Sequence, residues 1–232
     1  MSEILLPSID VKVHSSESAG EQIPTNAAAT ILELAGVAIR FSKVERTPRY
    51  EAERRESDVE HSYMLGMVAS ELAYALYPDT MNASLVNDYA MVHDLVEIKT
   101  GDVATFSIDA DALAIKKAAE HVALQELMQE LPPRTGRLLW DYEQQSDKES
   151  RFVCAVDKNL PIAVDILGAG QKVMNEDYGV HSNEQLSAAH DALRARMKDR
   201  FSEFPEIVRA HAQLCELFEN EFVATPVKQS DR

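Results

Sequence analysis

Leu85-Val86-Asn87-Asp88-Tyr89-Ala90-Met91-Val92-His93-Asp94-Leu95-Val96-Glu97-Ile98-Lys99-Thr100-Gly101-Asp102 changes character part-way along. Leu85, Val86, Tyr89, Val92 and Val96 recur at helical spacing, which predicts an amphipathic helix with His93 and Asp94 near its C-terminal end. The apolar period stops at Lys99, and the segment to Ser107, with Thr100, Gly101 and Asp102, predicts a loop directly after that helix, a position that commonly carries function. Glu97 lies where a continuing helix would present it close to His93 and Asp94. Taken alone, a histidine on an amphipathic helix is more often a hydrogen-bonded structural residue than a ligand.

The helical period continues on both sides. A first helix is expected from Asn26 to about Phe41, with Ile31, Leu34, Ala35 and Ala38 on its core face. Ser57 and Glu60 have capping-box spacing ahead of the stripe Met64, Leu65, Val68, Leu72 and Leu76, which places His61 in the first turn of a helix that Pro78 and Asp79 end. Further helices are expected over about Asp109 to Leu131, stopped by Pro132 and Pro133, and over Arg134 to Gln144. Phe152, Val153, Val156 and Leu160 mark another, kinked or ended at Pro161 just after Asp157. Two more, about Asn183 to Phe201 and Pro205 to Phe222, complete an all-α bundle in which no strand, repeat or Gly-rich phosphate loop is expected.

With 232 residues, 45% of them hydrophobic and 27% charged, the chain fits one globular domain over residues 26–222. Residues 1–25, rich in Ser, Glu and Pro, read as a flexible tail, and 223–232 as a second one. Asp and Glu outnumber Lys and Arg by 39 to 23, and the net charge of -16 disfavours a nucleic-acid polymer as partner. A small phosphorylated substrate remains compatible, because a cation and a few basic groups can reverse the potential within one pocket. The 2 cysteines, the lack of an apolar run of the roughly 18 residues a bilayer requires, and an N-terminus unlike a secretion signal predict a cytoplasmic protein with reduced thiols and no membrane contact.

His61 within Glu60-His61-Ser62, then His93-Asp94, then Asp157-Lys158 form, in order, a His, His-Asp, Asp series. This series resembles the signature of the HD-domain metal-dependent phosphohydrolases. The run His93, Asp94, Glu97, Asp102 is similar to the HD-x-x-E-x-x-x-x-D arrangement of their small 5'-deoxynucleotidase branch. The resemblance spans roughly Asn26 to Gly168 and implies an HD-domain helical bundle. It further implies a divalent cation held by His61, His93, Asp94 and Asp157. Imidazole together with carboxylate suits Mn, Co, Fe or Zn, and Mg is also considered.

The resemblance assigns Glu97 to acid-base work, Asp102 to a sugar contact or support of a second cation, and Arg46 to the substrate phosphate. Pro48 and Arg49 stand where the branch carries a Gly-Trp pair whose tryptophan packs on the sugar, which leaves ribose discrimination open, and Arg49 would suit a longer phosphate chain. Arg54 and Arg55 are expected to pair with nearby glutamates, Lys158 to do either that or bind phosphate, and Trp140 to pack in the core. His121, His181, His190 and His211 are expected to be structural or exposed. The implied activity is hydrolysis of a nucleoside 5'-monophosphate, the alternatives being triphosphate release from a dNTP or a catalytically silent metal-bearing regulatory protein. A homodimer is compatible with either.

Overall fold

The computed structural model describes residues 26–104, 106, 108 and 110–224, so both proposed tails except Val223 and Ala224 lie outside the described residues, as do Asp109 and parts of the loop before it. The order is α1 (Ala27–Phe41), β1 (Glu45–Glu51), β2 (Arg54–Ser57), α2 (Asp58–Leu76), α3 (Ala83–Val92), α4 (Glu97–Thr100), α5 (Ala110–Glu130), α6 (Pro133–Glu143), α7 (Lys148–Asp157), α8 (Leu160–Leu167), α9 (Gly170–Glu176), α10 (Asn183–Arg200) and α11 (Pro205–Glu221). Among the described residues no helix is long and apolar enough to cross a membrane.

The expected capping box forms: the Ser57 side chain accepts from the Glu60 backbone N–H, and Glu60 accepts in return from the Ser57 N–H. This fixes the first residue of α2 and therefore the position of His61 one turn in. α2 and α3 make the most extensive helix pair, and α7 lies against both. Leu65, Ala69, Val86, Tyr89, Phe152, Val153 and Val156 are the centre of the core they share. Two flanking clusters complete the interior. One joins Val37 and Phe41 of α1 to Leu124 and Leu127 of α5, and the other joins Ile162, Met174, Leu186, Cys215 and Phe218.

Several expectations need correction. The face of α1 anticipated to be buried is exposed, with Ile31 at 66%, and the helix packs instead through Val37 and Phe41. α3 ends at Val92 with His93 as its C-cap, and Glu97 opens the separate one-turn α4, so His93 and Glu97 do not share a continuous helix. Pro161 lies in the first turn of a separate short helix, α8, and α9 follows it, where no further helix was expected before about Asn183.

The antiparallel β1–β2 hairpin was not expected either. The buried positions of its strands include Arg46, Arg49 and Glu56, so the alternation along them is one of charge and not of hydrophobicity. Strand prediction from an apolar period of two has nothing to detect in such a segment.

The hairpin is pinned to α8 through Gly168. The Ala169 N–H donates to the Arg49 carbonyl at 2.9 Å, and a Cβ on Gly168 would sit 2.3 Å from that same oxygen. Backbone on both sides of the contact cannot yield by a rotamer change. Gly168→Ala is therefore expected to cost about 1–3 kcal/mol of stability, the usual scale of overpacking. Chemical denaturation measures it, and an unchanged midpoint would show that this joint is loose.

Candidate metal centre

Three helix ends deliver the central groups: His61 from the first turn of α2, His93 from the C-cap of α3 and Asp157 from the last residue of α7. All three are buried, and one ligand atom from each lies within 4.8 Å of the others. The imidazole rings have centroids 5.3 Å apart, and the Tyr142 ring makes a T-shaped contact with His93, centroids 5.8 Å apart.

Hydrogen bonding fixes which nitrogens are available. His93 Nδ1 lies 3.0 Å from the Ala90 carbonyl, which can only accept, so the ring hydrogen belongs on Nδ1 and the lone pair on Nε2. That Nε2 is buried without a hydrogen-bond partner and faces Asp94 Oδ2 at 2.9 Å. Two lone pairs so placed need a proton or a cation between them. His61 presents Nδ1 to Glu56 Oε2 at 3.5 Å, leaving Nε2 directed at Asp157 Oδ1, 2.9 Å away. A carboxylate behind the outer nitrogen is the usual support for a metal-binding imidazole.

The spacings suit a divalent cation. Ligands about 2.1 Å from an ion are roughly 3 Å apart when adjacent at right angles and roughly 4 Å apart when opposed. The observed separations are 2.9 Å for His61–Asp157, 2.9 Å for His93–Asp94 and 3.9 Å for His93–Asp157. Nitrogen and oxygen donors in this proportion fit Mn, Fe, Co or Zn. Asp94 borders this group through His93 Nε2 at 2.9 Å, and its own cluster is a second one, with Asp58 and Glu97.

Arg46 occupies the centre of that second group. Its Nη1 donates to Asp94 Oδ2 at 2.7 Å and Asp58 Oδ1 at 3.0 Å, and its Nε is 3.4 Å from Glu56 Oε2. Burial pushes the Asp58 carboxyl up to about 6, with the charge of Asp94 adding to the effect. Burial likewise pushes Glu97 up to about 10, reinforced by Asp94, Asp102 and Asp58. Burial also opposes ionisation of Asp94, but His93 and Arg46 hold it well below the usual carboxylate range. Asp157 is held low in the same way, by Lys158 and His61 against the effect of burial. Asp102, half-buried in the loop after α4, adds its charge to the field at Arg46, Asp58 and Glu97.

All seven residues singled out from the sequence thus come to one region, with Asp102 at its edge. Glu56, Asp58 and Lys116 were missed. Asp58 carried a detectable signal, since it lies three residues before His61 in the first turn of the same helix. Lys116 carried none, because its partner Glu97 is distant in sequence.

Arg49 is as buried as Arg46 but is held outside the ligand set: it donates to the Ala52 carbonyl and is ion-paired at 3.1 Å with Glu176 and 2.7 Å with Asp177. Arg54 pairs with Glu60 as expected, whereas the acidic partner of Arg55 is the distant Asp177. The Lys158 ammonium is 2.6 Å from Asp157 Oδ2 on a side chain 43% exposed. Trp140 packs against the α1–α5 cluster. His190 bonds to Glu219 and His211 is buried, both structural placements.

Residues 39–201 match the family model described as HD domain. The chain is similar to the 5'-deoxynucleotidase YfbR of Shigella flexneri serotype 5b (strain 8401), with 30% identity over 178 residues covering 71% of this chain and 85% of that protein. The YfbR protein of Escherichia coli strain K12 / DH10B is 29% identical over the same extent of 178 residues. Among solved structures, a predicted metal-dependent phosphohydrolase from Magnetospirillum magnetotacticum MS-1 shares the fold with a TM-score of 0.63 at 24% identity, covering 85% of this chain and 95% of that one.

Proposed function

From the premise that this chain belongs to the HD-domain family of metal-dependent phosphohydrolases, we propose that it hydrolyses a nucleoside 5'-monophosphate, a 2'-deoxynucleotide by preference, to nucleoside and orthophosphate. His61, His93 and Asp157, with Asp94 beside His93, would hold the divalent cation, which supplies Lewis acidity toward phosphate and water when bound. The observation that carries the monophosphate reading is that Arg49 is held by Glu176 and Asp177, outside the ligand set, whereas Arg46 bonds within it to Asp94. With Arg49 withdrawn, the cations beside the ligand set are Arg46 and Lys158, a complement suited to one phosphoryl group.

The two cations divide the work. Lys158 offers an ammonium from the open side, and Arg46, 10% exposed, offers guanidinium hydrogens from the floor while balancing Glu56, Asp58 and Asp94. Glu97 holds a proton at its carboxyl near the leaving oxygen, and Asp102 borders the sugar. The charge of a cation beside Asp94 would draw the Glu97 value down from about 10 toward neutrality, the range useful to a group that must both give and take a proton.

The test is product analysis on nucleoside mono-, di- and triphosphates, ribo and deoxyribo, with Mg, Mn, Co and Zn added in turn. Orthophosphate from monophosphates is expected, and release of inorganic triphosphate as the main product would replace this reading with a triphosphohydrolase. In the same assay Arg46→Ala should lower kcat/KM by a charge-assisted hydrogen bond's worth, roughly 10- to 150-fold. It should also lower stability, because buried carboxylates lose their counter-charge. Arg46→Lys should recover part of both, and wild-type kcat/KM in both variants would exclude Arg46 from phosphate recognition.

A further inference from the structure

Glu97 stands on a weak support. α4 is a single turn from Glu97 to Thr100, followed by Gly101 at φ 72°, and it has no side-chain cap. A helix this short cannot fix a long side chain by its own packing. The orientation of the Glu97 carboxyl must come from elsewhere, and the partner in place is Lys116 of α5. Its Nζ is 3.1 Å from Glu97 Oε1 and 2.7 Å from Glu120 Oε1 one turn along the same helix, on a side chain only 13% exposed. The other Glu97 oxygen, Oε2, is buried without a hydrogen-bond partner and lies 4.0 Å from Arg46 Nη1, on the side of Asp94.

We propose that Lys116 is the positioning residue for Glu97: by holding Oε1, it leaves Oε2 as the atom turned toward the reacting phosphate ester. This rests on the acid-base role of Glu97 given above. Glu120 anchors the ammonium from α5, so that the carboxyl of a one-turn helix takes its orientation from a helix of 21 residues. A hydrogen bond donated by an ammonium this withdrawn from water is stiffer than a surface contact, because the surrounding dielectric screens it less.

A merely structural α4–α5 tie would change stability but not the turnover of folded enzyme, and a double-mutant cycle separates the two roles. Lys116→Met, Lys116→Arg, Glu97→Gln and the Lys116→Met/Glu97→Gln double variant are compared as metal-loaded full chains for kcat, KM, metal content and Tm. Lys116→Met should lose roughly 10-fold in kcat, the lower end for a charge-assisted contact, with KM and metal content kept. Lys116→Arg should regain most of that loss. The double variant should be no slower than Glu97→Gln alone, since Lys116 then has no carboxyl to position. Wild-type kcat in Lys116→Met beside a slow Glu97→Gln would overturn the positioning role and leave the acid-base role standing. Multiplied losses in the double variant would also overturn it, and wild-type kcat in Glu97→Gln would remove both roles. If Met at 116 prevents folding, Lys116→Gln, which keeps a donor without the charge, takes its place in the cycle.

Discussion

His93→Ala is expected to abolish turnover and to remove the difference in thermal stability between cation-loaded and chelator-treated protein. The Nδ1–Ala90 hydrogen bond commits the His93 Nε2 lone pair to the site, and no other described side chain offers a nitrogen at that point. In the wild type, a cation present at a hundredfold excess over its Kd contributes about 2.7 kcal/mol, which for a chain of this length is roughly 5–10 °C in Tm. Part of that gain is relief of repulsion, since the carboxylates of Glu56, Asp58, Asp94 and Asp157 crowd around Arg46 and Lys158. Asp157→Ala should behave alike and should also free Lys158, whose partner it removes. Elemental analysis of the purified variants decides the matter: full metal occupancy in His93→Ala would end its assignment as a ligand.

The parts of this arrangement that were legible in the sequence are those with an apolar period or a local cap. α2, α3 and α7 were located by their stripes, α5, α6 and α11 by the prolines that bound them, and the Ser57–Glu60 pair placed His61 correctly. The candidate ligand set was read from the resemblance of the His61, His93-Asp94, Asp157 series, and the helix ends bring His61, His93 and Asp157 together with Asp94 just beyond α3. The hairpin was hidden because Arg46, Arg49 and Glu56 occupy its buried positions, where apolar residues would have marked a strand. Its charged interior is also what sets the chemistry, since Arg46 serves Asp58 and Asp94 while its strand neighbour Arg49 ties β1 to α9. Sequence proximity to Arg46 made Arg49 look like a substrate group, and only its partners, distant in the chain, show the opposite. The wrong face for α1 has a related cause. Ile31, Leu34, Ala35 and Ala38 satisfy the helical period, but the turn that meets α2 and α4 is the one bearing Val37 and Phe41.

Glu97→Gln is expected to leave the cation bound and to slow turnover by roughly 10²-fold or more, the usual scale for lost acid-base help. The amide keeps the shape of the carboxyl and can still accept from Lys116, so the geometry of α4 survives. Stability provides a second, independent reading. Glu97 has its carboxyl pushed up to about 10 from an ordinary value of 4.5, so over that interval the folded chain binds a proton that the unfolded chain has released. Folding stability of chelator-treated wild type must therefore fall, through this group, as pH rises across that window. Glutamine cannot titrate, and the variant's Tm should decline less between neutral and alkaline pH than the wild type's. A buried acid that costs stability and is dispensable for folding, yet required for rate, behaves as a functional group retained against the fold's own preference. Slower turnover combined with a flatter pH–stability curve is the expected signature. Wild-type kcat in the metal-loaded variant would remove Glu97 from the chemistry, whatever its effect on the curve.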